Sequence, residues 1–180
     1  MKLYKKFYLI NFFIFFFSSI ASADIKIAYV DLDLILSESK PGKLLFSQLN
    51  EIKENKFKQF KNDETNLKEE EKKLISTKSI VTSEEYNKNV SNFKKKVDNY
   101  RKKKNSDIEN LKKKRNKEIL RLLNLINPII EKIMDENSLE ILFEKKNIFI
   151  AKSNYDITKI VIDNINKNIT EFKILEWLIN

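Results

Sequence analysis

Between Gly42 and Pro128 the chain contains neither glycine nor proline. These two residues usually end helices, one by adding backbone freedom and the other by removing an amide donor. A run this long, rich in Lys and Glu, therefore reads as two long helices joined at the polar break Ser76-Thr77-Lys78-Ser79-Ile80-Val81-Thr82-Ser83. At about 1.5 Å per residue, each helix extends on the order of 50 Å or more. A core does not need helices of that length. They are expected to protrude as a hairpin arm over 41–136, with its tip near 76–83.

The apolar pattern says how the two helices meet. On the first, Leu45, Leu49 and Ile52 keep a four-then-three spacing, and Phe46, Phe60, Leu67 and Leu74 share one heptad phase. Lys53, Lys56, Asp63 and Glu70 fall where a strong coiled coil is apolar, so the seam reads as half-empty and the arm as flexible, above all over 61–73. The second helix starts at Thr82-Ser83-Glu84-Glu85, a capping-box pattern. Tyr86, Val90, Phe93, Val97 and Tyr100 then form a regular stripe, which Lys104 interrupts. Ile108 and Leu111 shift its phase, and Ile119, Leu122, Ile126, Ile129 and Ile133 resume it. Packing against the first helix accounts for most of the stripe. Pro128 is placed to kink the helix where it returns to the body.

Outside the arm the period changes. Ile25, Ile27 and Tyr29 alternate with Lys26 and Ala28, as a half-buried strand requires. Asp31 and Asp33 follow; a metal or catalytic pair is conceivable chemistry there, but capping of the next helical turn is the simpler reading. Ser37–Lys43 forms a turn in which Pro41 suits the first turn of the arm. After Asn137, Leu139–Glu144 and Ile148–Ala151 read as two strands of a β-hairpin turning at Lys145-Lys146-Asn147. Asp156 is a candidate N-cap for an amphipathic helix carrying Ile157, Ile160, Val161, Ile165 and Ile169. The tail 170–180 ends with Phe172, Ile174, Leu175, Trp177, Leu178 and Ile179, too much apolar surface to leave in water. It is expected to dock on the body or on a neighbouring subunit. The chain thus divides into 1–23, a body strand region 24–40, the arm 41–136, and a second body region 137–180.

Residues 1–23 read as a signal peptide. Lys2, Lys5 and Lys6 form its basic start and Phe7 to Phe17 its apolar core, while Ser18-Ser19-Ile20-Ala21-Ser22-Ala23 ends in small residues a signal peptidase accepts. The core is short for a membrane span. Cleavage after Ala23 starts the mature chain at Asp24 and places it outside the cytoplasm, most simply in a bacterial periplasm. The net charge of +9 falls to +6 once the three lysines of the signal leave.

The sequence has no His and no Cys. That excludes Ser-His-Asp and Cys-His nucleophiles, imidazole acid–base relays and Cys/His zinc sites. No cofactor or metal site is expected, and the chain does not read as an enzyme. Its charge lies in three clusters on the second helix: Lys94-Lys95-Lys96, Arg101-Lys102-Lys103-Lys104 and Lys112-Lys113-Lys114-Arg115. A solvated helix face is their simplest reading. For a functional role, attraction to acidic unfolded chains or to anionic lipid suits an exported protein better than nucleic acid, for which no recognised module is present.

The order of these features resembles the Skp/OmpH family of periplasmic chaperones. The resemblance rests on Ile25–Asp31, Ile35-Leu36, Pro41-Gly42-Lys43, the Lys/Glu-rich hairpin, and the segment Leu139–Glu144, Ile150-Ala151 and Asp156-Ile157-Thr158. It implies an α+β fold: a long coiled-coil-like helical hairpin, or tentacle, projecting from a small β-rich trimerisation body. Strands from three subunits would build that body, with Ile25, Ile27, Tyr29, Ile141, Phe143, Ile148 and Ile150 as candidate contacts. The resemblance further implies an ATP-independent holdase that keeps unfolded outer-membrane β-barrel proteins in a cavity between the arms. The apolar end of the tail goes beyond the family pattern. The competing reading is a membrane-anchored stalk or tether held by an uncleaved 1–23; the strands argue against it, because a stalk needs none.

Overall fold

A computed structural model of the chain describes residues 25–175. The signal-peptide reading and Trp177-Leu178-Ile179 lie outside the described residues. The elements in order are β1 (Ile27–Val30), α1 (Leu32–Glu38), α2 (Lys40–Ser76), α3 (Ser83–Asn137), β2 (Ile141–Glu144) and α4 (Thr158–Asn168). Short 3-10 turns at Lys145–Asn147 and Ser153–Tyr155 fill the interval between β2 and α4.

Caps set the boundaries. The Asp31 carboxylate accepts from the Leu34 N–H at 3.0 Å and starts α1. The Ser39 hydroxyl accepts from the Gly42 N–H, with Pro41 in the first turn of α2. Thr82 accepts from the Glu85 N–H and starts α3. α3 continues unbroken through Pro128 and ends at Ser138, whose left-handed backbone (φ 52°) lets Leu139 N–H return to Met134 O. Asp156 does cap α4, but from one residue further out than the usual position: its Oδ1 accepts from the Thr158 N–H at 2.9 Å, while Ile157 is the boundary residue.

The body differs from the sequence expectation in its sheet. β1 and β2 pair in parallel, Ile27 opposite Ile141 and Val30 opposite Glu144. A parallel pair needs a long crossover, and here the whole arm is that crossover. The β-hairpin of 139–151 does not form. The chain turns into a 3-10 helix at Lys145, and 148–151 is not a strand. The other edge of β1 is taken instead by Asp156 and Ile157, the latter donating its N–H to Tyr29 O at 3.0 Å. Flanked on both sides, β1 buries Ala28, Tyr29 and Val30 in succession rather than alternately.

The core gathers Val30, Ile35 and Leu36 with Leu45 from the base of α2. Leu122, Ile126 and Ile133 of α3 join it, with Val161 and Ile165 of α4. Phe172 and Ile174 of the tail complete it, so the described part of the tail docks on the chain's own body. α2 has 37 residues and α3 has 55, lengths of about 55 Å and 80 Å. Their roots are buried, as is Phe60 in mid-arm, and most of the remainder projects.

Gly42, the single glycine of the chain, is fixed by a close approach. A Cβ on it would lie 1.8 Å from Leu36 O and 2.9 Å from Ser39 Oγ. The obstacle is backbone, which cannot rotate away. Gly42→Ala is expected to lower stability by at least the 1–3 kcal/mol or so typical of overpacking, read as a drop in the urea midpoint at unchanged slope. A midpoint equal to the parent would show that α1 and α2 do not meet this closely.

Candidate functional site

The arm carries the features that could hold another molecule. Its seam is charged where a coiled coil would be apolar, and two of those charges, Lys56 and Glu70, are matched across the helices. Lys56 meets Asp107 at 3.1 Å, Glu70 meets Lys96, and Glu64 meets Lys104 at 2.6 Å. Lys104, the residue that interrupts the apolar stripe, lies 5.6 Å from the Phe60 ring centroid and 5.9 Å from that of Tyr100. The Tyr100 hydroxyl lies 2.7 Å from Glu64 Oε1 and 3.3 Å from Phe60 O. It has one proton, and the shorter, charge-assisted contact to Glu64 takes it.

This mid-arm clasp perturbs its own groups. The Lys104 ammonium and the Tyr100 hydroxyl lower the Glu64 pKa. Desolvation and the Glu64 carboxylate raise that of Tyr100. Glu64→Gln keeps the shape and removes the charge. It is expected to increase opening of the outer arm, seen as faster amide exchange around Phe60 and Tyr100 with the body unaffected. Unchanged exchange would mean that packing alone closes the arm.

The clasp separates two grooves between α2 and α3. The outer one, about 1070 Å³, is lined by apolar seam residues including Leu67, Leu74, Tyr86, Val90, Phe93 and Val97, with Lys94 and Arg101 at its side. The seam stripe is therefore half-buried along an open groove rather than sealed against the first helix. The inner groove, about 620 Å³, lies at the root of the arm between Phe46, Leu49, Ile52 and Phe57 of α2 and Ile108 and Leu111 of α3.

The structure does not gather the basic candidates into one patch. Lys96 and Lys104 are engaged across the arm, and Lys103 lies 3.4 Å from Asp107 on its own helix. Arg115 sits over the Phe46 ring. Lys112 and Lys114 line the root groove, while Lys95, Lys102 and Lys113 are exposed along α3. Among the candidate subunit contacts, Ile25, Ile27, Ile141 and Phe143 are exposed, Ile148 is half-buried and Ile150 is 85 % exposed. Tyr29 is buried inside the chain's own body.

Sequence reading missed Phe149, whose side chain is fully exposed beside Ile150. It also missed the root clamp. Glu118 is wholly buried and paired through Oε2 with Arg121 at 2.7 Å, while its Oε1 has no protein partner. The Arg121 guanidinium lies 4.1 Å from the Phe172 ring centroid and donates to Lys173 O. From α2, Gln48 donates to Phe172 O at 2.8 Å and accepts from the Ile174 N–H at 3.0 Å. The Glu118–Arg121 spacing of three, interleaved with Ile119 and Leu122, was the available signal.

At the body, Asp31 also meets Lys145 at 3.1 Å. The Leu34 N–H, and then Lys145, hold its carboxyl below the ordinary 3.8. A lowered folded-state pKa means that ionised Asp31 favours the fold above the ordinary value. That contribution is lost as pH falls through the lowered one. The stability gap between the parent and Asp31→Asn is expected to shrink as pH drops from about 5 to about 2. A gap independent of pH would deny the carboxylate this role.

A two-helix arm with open apolar grooves, rooted in a small body with exposed apolar side chains, defines a hairpin-arm architecture. The family model described as "Outer membrane protein (OmpH-like)" matches residues 26–165. The chain belongs to this OmpH-like family. A crystal structure of the Caulobacter crescentus CB15 protein named an OmpH-like outer membrane chaperone has the same fold. Its TM-score is 0.76 at 16 % identity, covering 84 % of this chain and 89 % of that one. No curated protein matches the chain. The α+β architecture of helical arm and small β region is that of the family. Among the described residues, no helix is long and apolar enough to cross a membrane.

Proposed function

We propose that the mature chain, residues 24–180, is a trimeric periplasmic holdase. It would keep unfolded outer-membrane β-barrel proteins from aggregating without ATP. The observation that carries this reading is the open seam of the arm. The apolar stripe that would otherwise seal α2 against α3 lines a groove instead. Many weak apolar and electrostatic contacts along three such arms would add by avidity, so no single tight pocket is required.

The trimer is supported by the body. Two four-residue strands are too little sheet to stand alone, and Phe149 and Ile150 present apolar side chains to water beside them. Strands shared between copies would cover both the side chains and the open edge of β2. An anionic lipid surface is a secondary partner, supported by the exposed lysines of α3 and the net positive charge of the mature chain.

The reading is tested by diluting a urea-unfolded outer-membrane barrel into residues 24–180, without nucleotide, and measuring the mass of the eluted complex. A complex of about three chains per client is expected. A monomeric chain that leaves the client to precipitate would overturn the reading. N-terminal sequencing of the protein from cells checks export: Asp24 as first residue agrees with it, and an intact Met1 favours the tether.

A further inference from the structure

The root groove has a character of its own. Its walls are aliphatic and aromatic, its rim carries Lys53, Lys112 and Arg115, and no carboxylate lines it. Among the described residues these three cations have no ion-pair partner, although Lys53 and Arg115 sit over the Phe57 and Phe46 rings. One end is formed by Ile174. The backbone that delivers Ile174 is neither helix nor strand, and it buries alternate side chains, Phe172 and Ile174, as an extended peptide does. The Gln48 amide holds that backbone on both its carbonyl and its N–H side, as a neighbouring strand would. The chain therefore displays, at the inner end of the groove, how the arm root grips an extended apolar segment. Phe172 and Ile174 lie beyond the residues matched by the family, which end at 165.

We propose that the rest of this groove is a binding site for one extended apolar segment of an unfolded client, flanked by carboxylates that meet Lys53, Lys112 and Arg115. The inference rests on the holdase reading for the source of that segment and adds a discrete site to it. Apolar walls select large side chains, and the one-sided rim selects acidic flanks over basic ones. Its place at the root lets a client segment be held while the outer arm, beyond the clasp, is free to open.

The probe is a blocked, fluorescein-labelled peptide, Asp-Phe-Ile-Leu-Phe-Asp, titrated into intact residues 24–180 and followed by anisotropy. Its counterpart carries lysines in place of the two aspartates. The acidic peptide is expected to bind at least about tenfold more tightly than the basic one, a gap of roughly 1.4 kcal/mol. Ile108→Asp, at a half-exposed wall position, is expected to weaken binding by a similar factor. Should that variant unfold, Lys112→Glu with Arg115→Glu inverts the rim charge, losing also the guanidinium over Phe46, and is expected to reverse the preference between the peptides. Lys72→Glu with Lys88→Glu, exposed on the outer arm and lining neither groove, is expected to leave it unchanged.

No binding by the parent would overturn the site, as would binding indifferent to all groove variants. Binding that appears only once residues 170–180 are removed would assign the groove to the chain's own tail and also overturn it. Aggregation suppression separates the two readings. Suppression without peptide binding defeats this site alone, and peptide binding without suppression defeats the holdase reading alone.

Discussion

Arg121→Ala is expected to cost about 3–5 kcal/mol of folding stability, the range for stranding one member of a buried ion pair. Glu118 is wholly buried, and its Oε2 is paired with the Arg121 guanidinium. Without the guanidinium, a wholly buried carboxylate loses the ion pair made by its Oε2. The same substitution removes the platform stacked on Phe172 and the donor to Lys173 O, so the tail should loosen together with the root of α3. The double variant Arg121→Met with Glu118→Gln separates the effects. It removes the stranded charge and keeps much of the volume, and it is expected to recover a large part of the loss. Urea unfolding followed by circular dichroism measures all of them. A loss below about 1 kcal/mol for Arg121→Ala would mean that this pair behaves as an exposed one.

The second large effect concerns assembly. Phe149→Asp with Ile150→Asp is expected to convert the proposed trimer to monomers while leaving the helical signal intact. Phe149 is fully exposed and Ile150 is 85 % exposed within the chain, so the folded monomer loses no packing by the change. Burying each such side chain between copies is worth about 1.5–3 kcal/mol. Two of them from every subunit amount to a large share of an interface that must overcome the entropy of association. Sedimentation velocity at micromolar concentration reads the result directly. A variant that stays trimeric would place the interface elsewhere on the body, with Ile25, Ile27, Ile141 and Phe143 as the next surface.

Local chemistry was legible in the sequence wherever one residue answers a neighbour. Asp31 and Thr82 announce helix starts through their own side chains and cap where such signals place them, and Pro41 lies in the first turn of α2, while the turn read over Ser37–Lys43 narrows to Ser39. The absence of Gly and Pro after Gly42 set the extent of the arm for the same reason. Choice of partner was not legible. Ile148–Ala151 has the composition of a strand, but a strand also needs an edge. Asp156 and Ile157 take one edge of β1 and β2 takes the other. Periodicity reports a preference for burial; it does not say which backbone supplies the hydrogen bonds.

The arm shows the same limit. Heptad phase marks Lys56 and Glu70 as defects because it looks along one helix. Their partners, Asp107 and Lys96, lie on the other helix. Gly42 was visible as a turn residue, yet its reason, contact with Leu36 O, exists only once α1 and α2 fold against each other.

The most direct test of the central claim is light scattering from a urea-unfolded outer-membrane barrel diluted into rising concentrations of residues 24–180, without nucleotide, at low and high salt. A trimeric holdase would give suppression that saturates near about three chains per client and weakens with salt, since the exposed lysines of α3 contribute long-range attraction. Aggregation undiminished at every ratio, from a sample that is folded and helical, would contradict it.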